Sequence, residues 1–585
     1  MLTYFFNHKY FGVVALSLLT TLMLLACYWN NYHPRENTDK RHIIYSDGAG
    51  YYLHLSQWFI YDDPTYSFLK ELDEKYPKNR FGDHLGYSYE EDNKINKYYP
   101  GTAVMLTPFF LIAHSFQAIS GGAMDGYAPA YQILASLSAL FYWLVGSIGL
   151  YLILLRLKIK PIYAIITITV ISLGTNLFYY TISAPTFSHV YSYALINWIV
   201  LLFMRWTENT QKHLFLLFSL LLIGFAFVVR PTNIFVVLLL PFLFQSAKSF
   251  KIKVTELILK NTRIVVIGLV LLIIPILFLI YHNYNMLGGL ALNSYTKESF
   301  IYLTEPKILE VLFSYKKGMF IYAPVLLFSL IGFYFVFKKS SYLFFGLLLT
   351  FSVFTYVTAS WWSWWYGGGL GMRPFVEYLL LFAIPIAFLW QYVHLILKIL
   401  LLVFSIGSLY LYQVYDYQIN RNILHHTDMN KTLFWEVFLQ TDARFEWHVF
   451  MEFEELPEER KEIGTFHFHK NESGSYELGK PSKELKWINN YSGDGFFGGK
   501  INGIFQLHHP AYKPNIVVTY FSDSSTTEKT IYFGGKFPSV DKSYNIDLEL
   551  NPRLNFDAID SIYFQLRGTS DLLNSEELTL TVFEI

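Results

Sequence analysis

The chain has 585 residues, of which 53% are hydrophobic, 19% are aromatic and only 15% are charged. This composition is typical of a polytopic membrane protein rather than of a large soluble core. The formal net charge is zero, and the sequence shows neither a zinc-ligand spacing nor a phosphate-cradling glycine loop, which argues against a nucleic-acid partner. The single cysteine excludes an intramolecular disulfide.

The first apolar run, from Tyr10 to Tyr28, is long enough to cross about 30 Å of hydrocarbon as a helix. It ends in "LLAC", so a lipoprotein processing site at Cys27 is the alternative. We favour a first transmembrane helix, because many apolar runs follow and the residue before Ala26 is a bulky leucine.

Further apolar runs lie at 101–119, 128–154, 161–183, 189–204, 213–229, 233–247, 262–281, 318–337, 341–359, 374–392 and 396–415. If 101–119 crosses the membrane, the Lys/Arg-rich loops at 156–160, 205–212 and 248–263 face away from the N-terminus. If it lies in the interface or re-enters, these loops share the N-terminal side, which the positive-inside rule identifies as cytoplasmic. We therefore predict about eleven transmembrane helices, with a cytoplasmic N-terminus and an extracytoplasmic C-terminus.

This topology places polar, aromatic and glycine-rich segments on the outer face, at 29–127, 183–189, 230–233, 282–317 and 360–374. The first of them is a large extracytoplasmic loop with interfacial helices. Functional residues concentrate on loops that a rigid scaffold holds. We therefore expect the transmembrane domain, residues 1–415, to carry its site on the extracytoplasmic side.

The composition after residue 415 changes to that of a water-soluble domain. Residues 433–455 predict one or two amphipathic helices within a connector, 416–460. Period-two alternation in 461–585 predicts a small extracytoplasmic β-sandwich. The alternating stretches are "NIVVTYF" (515–521), "KTIYFGG" (529–535), "YNIDLEL" (544–550), "SIYFQLRG" (561–568) and "LTLTVFEI" (578–585).

Asp47 lies in "SDGAGYY" (46–52), where the first outer loop follows its helix. The glycines predict a flexible backbone and an uncrowded carboxylate, and Tyr51 and Tyr52 offer flat faces to a sugar. An Asx turn between a membrane helix and an interfacial helix explains the spacing equally well.

Basic residues recur at the predicted outer ends of helices. Arg230 in "VVRPTN" and Arg373 in "GMRPF" are functional candidates, because an arginine at membrane depth is costly unless it is paired or solvated. Anchoring to anionic lipid headgroups is the alternative. Lys316 and Lys317 in "YKKG" form a third basic group, placed against the positive-inside trend. Three basic groups near one surface suit a phosphate or pyrophosphate ligand.

The outer segments also carry a histidine and a run of tryptophans. His189 opens a helix in "TFSHVYSY", where a hydrogen-bonded structural role is the alternative to a functional one. Trp361 and Trp364 in "SWWSWWYGGGLGMRP" either contact a ligand or belong to an interfacial aromatic belt. The glycines after them allow close backbone approach or movement next to Arg373, which favours a ligand site.

Six stretches carry a family resemblance: "SDGAGYY", "KYYPGTAVMLTPFF", "APTFSHVYSY", "RPTN", "KKGMFIYAPVLLFSLIGFYF" and "WWSWWYGGGLGMRPFVEYLLLFAIP". In order and topology they resemble a bacterial integral-membrane glycosyltransferase of the C-type superfamily, which includes the protein O-mannosyltransferases and the aminoarabinose transferases that modify lipid A. The resemblance covers about residues 1–415. It implies a polyprenyl-phosphate-linked sugar donor, a cell-envelope acceptor (lipid, glycan or protein) and a site on the outer face of the bacterial inner membrane.

The resemblance also implies roles for individual residues. Asp47 is expected to act as, or to position, the catalytic base. Arg230, Arg373 and Lys316 are expected to bind the donor phosphate, with its departing charge. Substrate contacts are expected from Tyr51, Tyr52, Tyr98, His189, Trp361 and Trp364.

The sequence departs from the family at one point and leaves alternatives open. Many family members carry two adjacent acids in this loop, whereas Gly48 follows Asp47 here. Asp62 and Asp63 are available as a second carboxylate, so a divalent metal stays open. A transporter or flippase of a lipid-linked sugar would need polar residues or broken helices at the bilayer midplane. A membrane-anchored carbohydrate-binding protein would leave most of the spans unexplained.

Overall fold

The structure is a computed structural model that describes residues 10–33, 43–76, 86–90, 93–295, 298–421, 423–426 and 429–441, together with eight strand segments between 461 and 584. The part before residue 442 is mainly helical. Contacts divide the chain into two units, Met1–Tyr417 and Gln418–Ile585, which are described separately below.

The first unit is built almost entirely of helices. They are α1 (Phe11–Asn31), α2 (Ser46–Ser56), α3 (Leu69–Lys75), α4 (Gly101–Ser120), α5 (Pro129–Arg156), α6 (Pro161–Gly174), α7 (Asn176–Ile182), α8 (His189–Glu208), α9 (His213–Val229), α10 (Ala247–Lys260), α11 (Thr262–Leu287), α12 (Ile308–Phe313), α13 (Met319–Tyr322), α14 (Phe328–Lys339), α15 (Ser341–Ala359), α16 (Leu380–Tyr392) and α17 (Leu395–Ile419). Short 3₁₀ turns follow α9, at Pro231–Leu238 and Leu240–Leu243, and precede α14 and α16, at Pro324–Leu327 and Arg373–Val376. An antiparallel hairpin, β1 (Gly86–Glu90) and β2 (Asn93–Ile95), lies in the first loop.

Among the described residues, six helices are long and apolar enough to cross a membrane: α1, α4, α5, α11, α15 and α17. The pair α6 and α7, bent by 66°, adds a seventh if it forms one span. Only 17% of the apolar window of α11, and of α17, is buried in the protein. Such outward-facing apolar surface is what a helix in contact with lipid requires. The protein is therefore a multi-pass membrane protein, and the count of eleven spans stays a prediction.

The position of α4 bears on the predicted topology. Tyr142 of α5 donates a hydrogen bond to the Met105 carbonyl at 3.0 Å, and His114 Nδ1 lies 2.8 Å from the Tyr131 hydroxyl. These contacts make α4 antiparallel to the first half of α5. The interfacial placement of 101–119 stays a prediction, because α4 also has the length and hydropathy of a span.

The five segments predicted to share the outer face meet at one end of the helices. The contacts that join them are Asp47 with Arg373, Ser188 with Tyr51 and Arg230, and Lys97 with Glu298. These contacts bring the five segments together. Their common extracytoplasmic side stays a prediction.

The second unit contains one described helix, α18 (Lys431–Val437), and eight strands. The strands are β3 (Lys461–Lys470), β4 (Tyr476–Leu478), β5 (Phe497–Gln506), β6 (Asn515–Ser522), β7 (Ser525–Tyr532), β8 (Ser543–Leu550), β9 (Ser561–Arg567) and β10 (Thr579–Glu584). They pair antiparallel in the order β7-β6-β9-β4-β3-β10-β5-β8. The five alternating stretches overlap β6 to β10, and the two-layer sandwich stays a prediction. Residues 442–460 of the predicted connector lie outside the described residues.

Candidate active site

Asp47 lies in the first turn of α2, where the helix dipole favours a carboxylate. The two glycines beside it are required for packing. A Cβ on Gly48 would lie 2.1 Å from the Thr186 hydroxyl oxygen, and one on Gly50 would lie 2.0 Å from the Tyr98 ring. The expectation of a flexible loop with an uncrowded carboxylate is therefore wrong, because this stretch is helical and fits closely against two other segments.

The Asp47 carboxylate binds two side chains from distant parts of the chain. Its Oδ2 lies 2.6 Å from Arg373 Nη2, and its Oδ1 accepts a hydrogen bond from the Tyr98 hydroxyl at 3.0 Å. The Asp47 side chain is 26% exposed and that of Arg373 is 12% exposed. Both partners are side chains from other segments, which the Asx-turn alternative does not require.

Burial and three interactions that oppose its effect set the charge state of Asp47. Burial alone would raise the pKa of the carboxyl, but the Arg373 charge, the Tyr98 hydrogen bond and the Lys97 charge together lower that pKa below its usual value. Asp47 is therefore ionised near neutral pH. A lowered pKa also makes a weaker base, so Asp47 accepts a proton more readily when its pair with Arg373 loosens.

The glycine-rich loop before Arg373 has a backbone that favours glycine. The φ angles are +66° at Gly367, +124° at Gly369 and +55° at Gly371. Arg373 Nη1 donates to the Gly368 carbonyl at 3.3 Å, and Lys317 Nζ donates to the Gly369 carbonyl. The loop thus lies against Arg373 and is tied to Lys317, as the expected close backbone approach requires.

A second charged cluster lies beside the first. Arg230 Nε and His189 Nδ1 each lie 2.9 Å from the same oxygen, Oε1 of Glu377. Glu377 is 0% exposed, His189 1% and Arg230 15%. Arg230 is therefore paired inside the protein, with 15% of its side chain exposed.

One chain of contacts connects the two clusters. Arg230 Nη1 donates to the Ser188 hydroxyl at 3.2 Å, and Ser188 donates to the Tyr51 hydroxyl at 3.3 Å. The Tyr51 ring meets the Tyr98 ring edge to face, with centroids 5.0 Å apart. Because Tyr98 bonds Asp47, both arginines and the carboxylate belong to one network.

Two other predicted site residues, Lys316 and Tyr52, make contacts of different kinds. Lys316 Nζ lies 4.3 Å from the centre of the Trp365 ring, whereas the neighbouring Lys317 is buried and contacts the glycine loop. Tyr52 is buried and donates to the Gly126 carbonyl at 2.8 Å. The structure thus brings Lys317 next to the loop that holds Arg373, and donor-phosphate binding by Lys316 stays a prediction.

The two predicted tryptophans make aromatic contacts within the outer segments. Trp361 packs edge to face on Phe300, with centroids 4.9 Å apart, and Trp364 does the same on Trp365 at 5.6 Å. Substrate contact by either tryptophan stays a prediction.

The two acids considered as a second carboxylate, Asp62 and Asp63, follow α2 in the first outer segment. Asp63 accepts hydrogen bonds from Thr65 and Ser67; burial alone would raise its pKa, but these bonds lower it to about 2. Asp62 has a left-handed backbone that ends a short π-helical turn. In the described part of the chain, no three His, Cys, Asp or Glu side chains come together in a group that could hold a metal ion.

Sequence reasoning missed Glu377, although a signal was available. Glu377 is the only charged residue in the apolar run 374–392. An ionisable residue in an otherwise apolar membrane segment is a functional candidate with a partner to be found. Phe187, whose ring centre lies 5.6 Å from the Arg373 guanidinium carbon, carried no comparable signal.

No protein-family model and no curated protein matches this chain. Solved structures do align with it. The oligosaccharyltransferase AglB from Archaeoglobus fulgidus, in complex with an inhibitory peptide and a dolichol-phosphate, is 12% identical over 74% of this chain and 60% of its own, with a TM-score of 0.40. The Archaeoglobus fulgidus oligosaccharyltransferase in complex with Zn and sulfate is 13% identical over 73% of this chain and 57% of its own, with a TM-score of 0.37.

The arabinosyltransferase EmbB from Mycobacterium smegmatis aligns over 97% of this chain and 67% of its own, at 10% identity and a TM-score of 0.29. All three are glycosyltransferases by name, as is the superfamily that the sequence motifs resemble. This chain spans only about 60% of the length of the archaeal proteins.

Proposed function

We propose that the protein is a membrane glycosyltransferase that moves a sugar from a polyprenyl-phosphate-linked donor to a cell-envelope acceptor. The reaction takes place on the extracytoplasmic face of the bacterial inner membrane. One observation carries the proposal: Asp47, Arg230 and Arg373, which come from three separate outer segments, converge in one network of side chains. The acceptor is a lipid, a glycan or a protein of the envelope.

The charges of the site suit the phosphate of the donor. Arg230, Arg373 and Lys317 supply three basic groups to the site, while Asp47 and Glu377 supply two acidic groups. Guanidinium groups bind phosphate oxygens with paired N–H donors. Both arginines keep an exposed edge, of 15% and 12%, although they are otherwise buried.

The reaction follows from this arrangement. The acceptor hydroxyl oxygen forms a bond to the anomeric carbon, while the bond from that carbon to the phosphate oxygen breaks and its electron pair leaves with the polyprenyl phosphate. The hydroxyl proton passes to Asp47 late, when the attack has made the hydroxyl acidic. Arg230 and Arg373 stabilise the charge that grows on the departing phosphate.

In this scheme the Asp47–Arg373 ion pair forms in the enzyme without bound donor. Donor phosphate competes with the carboxylate for Arg373, and its binding weakens the pair. The pKa of Asp47 then rises towards its usual value, so the carboxylate becomes a better base once the donor is bound. Tyr51 and Tyr98 lie next to this pair and offer aromatic faces to the sugar.

The test uses the full chain in membrane vesicles. Vesicles are incubated with a panel of radiolabelled polyprenyl-phosphate sugars and envelope extract, and the label is then followed into lipid, glycan and protein fractions. We expect transfer by the wild type and by the control Glu256→Gln, an exposed surface change, and little transfer by Asp47→Asn. Label that crosses the membrane on its original lipid, with none transferred, would instead support the flippase alternative.

A further inference from the structure

Glu377 is an acidic side chain buried between Arg230 and His189. Its side chain is fully buried, and both close partners, Arg230 and His189, contact Oε1. Its other oxygen, Oε2, has no hydrogen-bond partner in the described part of the chain. A buried ion pair is weak evidence for stability, because desolvation offsets the attraction between the charges. Stability alone therefore does not explain why this ion pair is present.

The contact with Glu377 sets the orientation of Arg230. Glu377 Oε1 lies 2.9 Å from Arg230 Nε, and Arg230 Nη1 donates a hydrogen bond to the Ser188 hydroxyl at 3.2 Å. The Glu377 contact is an ion pair without hydrogen-bond geometry at Nε, and together with the Ser188 hydrogen bond it restricts the orientation of the guanidinium. Within the described residues Nη2 makes no hydrogen bond, so it is available to a ligand.

Glu377 also lies close in sequence to the second arginine. It follows the 3₁₀ turn Arg373–Val376, which begins with the residue that pairs with Asp47. One short segment therefore supplies one arginine of the site directly and the carboxylate that holds the other.

We propose that Glu377 is a positioning residue for the donor phosphate: it holds the Arg230 guanidinium so that its free edge meets the phosphate, without touching the phosphate itself. This inference rests on the proposed function, in which Arg230 binds that phosphate. A simple electrostatic role would have the opposite sign, since an anion beside the site repels phosphate. Removing the charge of Glu377 therefore separates the two roles by the direction of the change.

The experiment measures binding of a C55 isoprenyl phosphate to the purified full chain in nanodiscs, with the C55 isoprenyl alcohol as the uncharged control. We expect Glu377→Gln to weaken phosphate binding about tenfold and to leave alcohol binding unchanged. Glu256→Gln, an exposed change from glutamate to glutamine, serves as the matched control and should alter neither.

A double-mutant cycle then tests whether Glu377 acts through Arg230. Arg230→Gln should weaken phosphate binding more strongly, and Glu377→Gln should have no further effect in that background. Arg230→Lys keeps the charge but loses the planar group that Glu377 holds, so it should also bind phosphate weakly. If Glu377→Gln does not fold, the phosphate affinity of Arg230→Lys tests the positioning role instead.

The outcomes distinguish this inference from the proposed function. Equal binding of phosphate and alcohol by the wild type would contradict the proposed function itself. A wild-type preference for phosphate that Glu377→Gln leaves unchanged or strengthens would overturn only the positioning role. Full phosphate affinity in Arg230→Lys would do the same.

Discussion

Arg373 Nη2 lies 2.6 Å from Asp47 Oδ2, and this ion pair joins the first outer segment of the chain to the last. Arg373 also holds the glycine loop through its Nη1 group. A pair that is mostly buried costs desolvation energy and adds little net stability. Its geometry is better explained by the reaction, in which phosphate and carboxylate compete for one guanidinium.

Asp47→Asn should reduce glycosyl transfer by about 100-fold or more, the range expected when a general base is lost. It should also lower thermal stability, because Arg373 loses its charged partner. The loss should stay below the roughly 3–5 kcal/mol of a fully buried pair, since Asp47 is 26% exposed. Radiolabel transfer and the melting temperature are the measurements. Asp62→Asn and Asp63→Asn should act more mildly on transfer, and near wild-type turnover in Asp47→Asn would remove the catalytic role.

Arg373→Gln should change the pH dependence of transfer. Arg373 is the largest influence that lowers the Asp47 pKa, and without it burial raises that pKa. The acidic limb of kcat/KM, measured between pH 3 and 8, should therefore move to higher pH in the variant. The ion pair stabilises the wild type above the usual Asp pKa of about 3.9, and this contribution is lost as pH falls through the lowered pKa. The stability difference between the two proteins should accordingly shrink at acidic pH, and an unshifted limb would contradict the coupling.

Gly369→Ala should impair both folding and transfer. Its φ of +124° is strained for any other residue, and a Cβ there would lie 2.5 Å from the Tyr180 hydroxyl oxygen. We expect a loss of about 1–3 kcal/mol of stability, with lower transfer because the loop also contacts Lys317 and Arg373. Gly289→Ala is the matched control, since its Cβ would meet nothing within 4 Å. Equal melting temperatures and rates for the two variants would show that the loop tolerates a side chain.

Reporter fusions test the topology. Fusions after residues 158, 250 and 339 should report the cytoplasm, because these positions lie in or beside Lys/Arg-rich loops. Fusions after 120, 300 and 440 should report the outside. A cytoplasmic signal at 120 would mean that α4 crosses the membrane, and the outer placement of the site would then be wrong.

The mainly helical membrane character of the chain and the order of its polar segments are predictable from hydropathy and charge. An apolar run of about 20 residues predicts a helix that crosses the bilayer, and the distribution of Lys and Arg indicates which side of the membrane each loop faces. Arg230 and Arg373 are visible in the same way, because each is a charged residue at the end of an apolar run, whereas the role of Asp47 is implied by the family resemblance.

Which of these side chains contact each other depends on the packing of the folded chain. The partner of Asp47 follows from how the helices pack, and no local pattern specifies a contact between residues so far apart in the chain. Lys316 and Lys317 are adjacent and chemically identical, so only the packed backbone shows which one reaches Gly369. The sequence of α2 is the same whether its glycines make the backbone flexible or let other segments pack closely against it. Their role depends on Thr186 and Tyr98, which lie against α2 only in the folded protein.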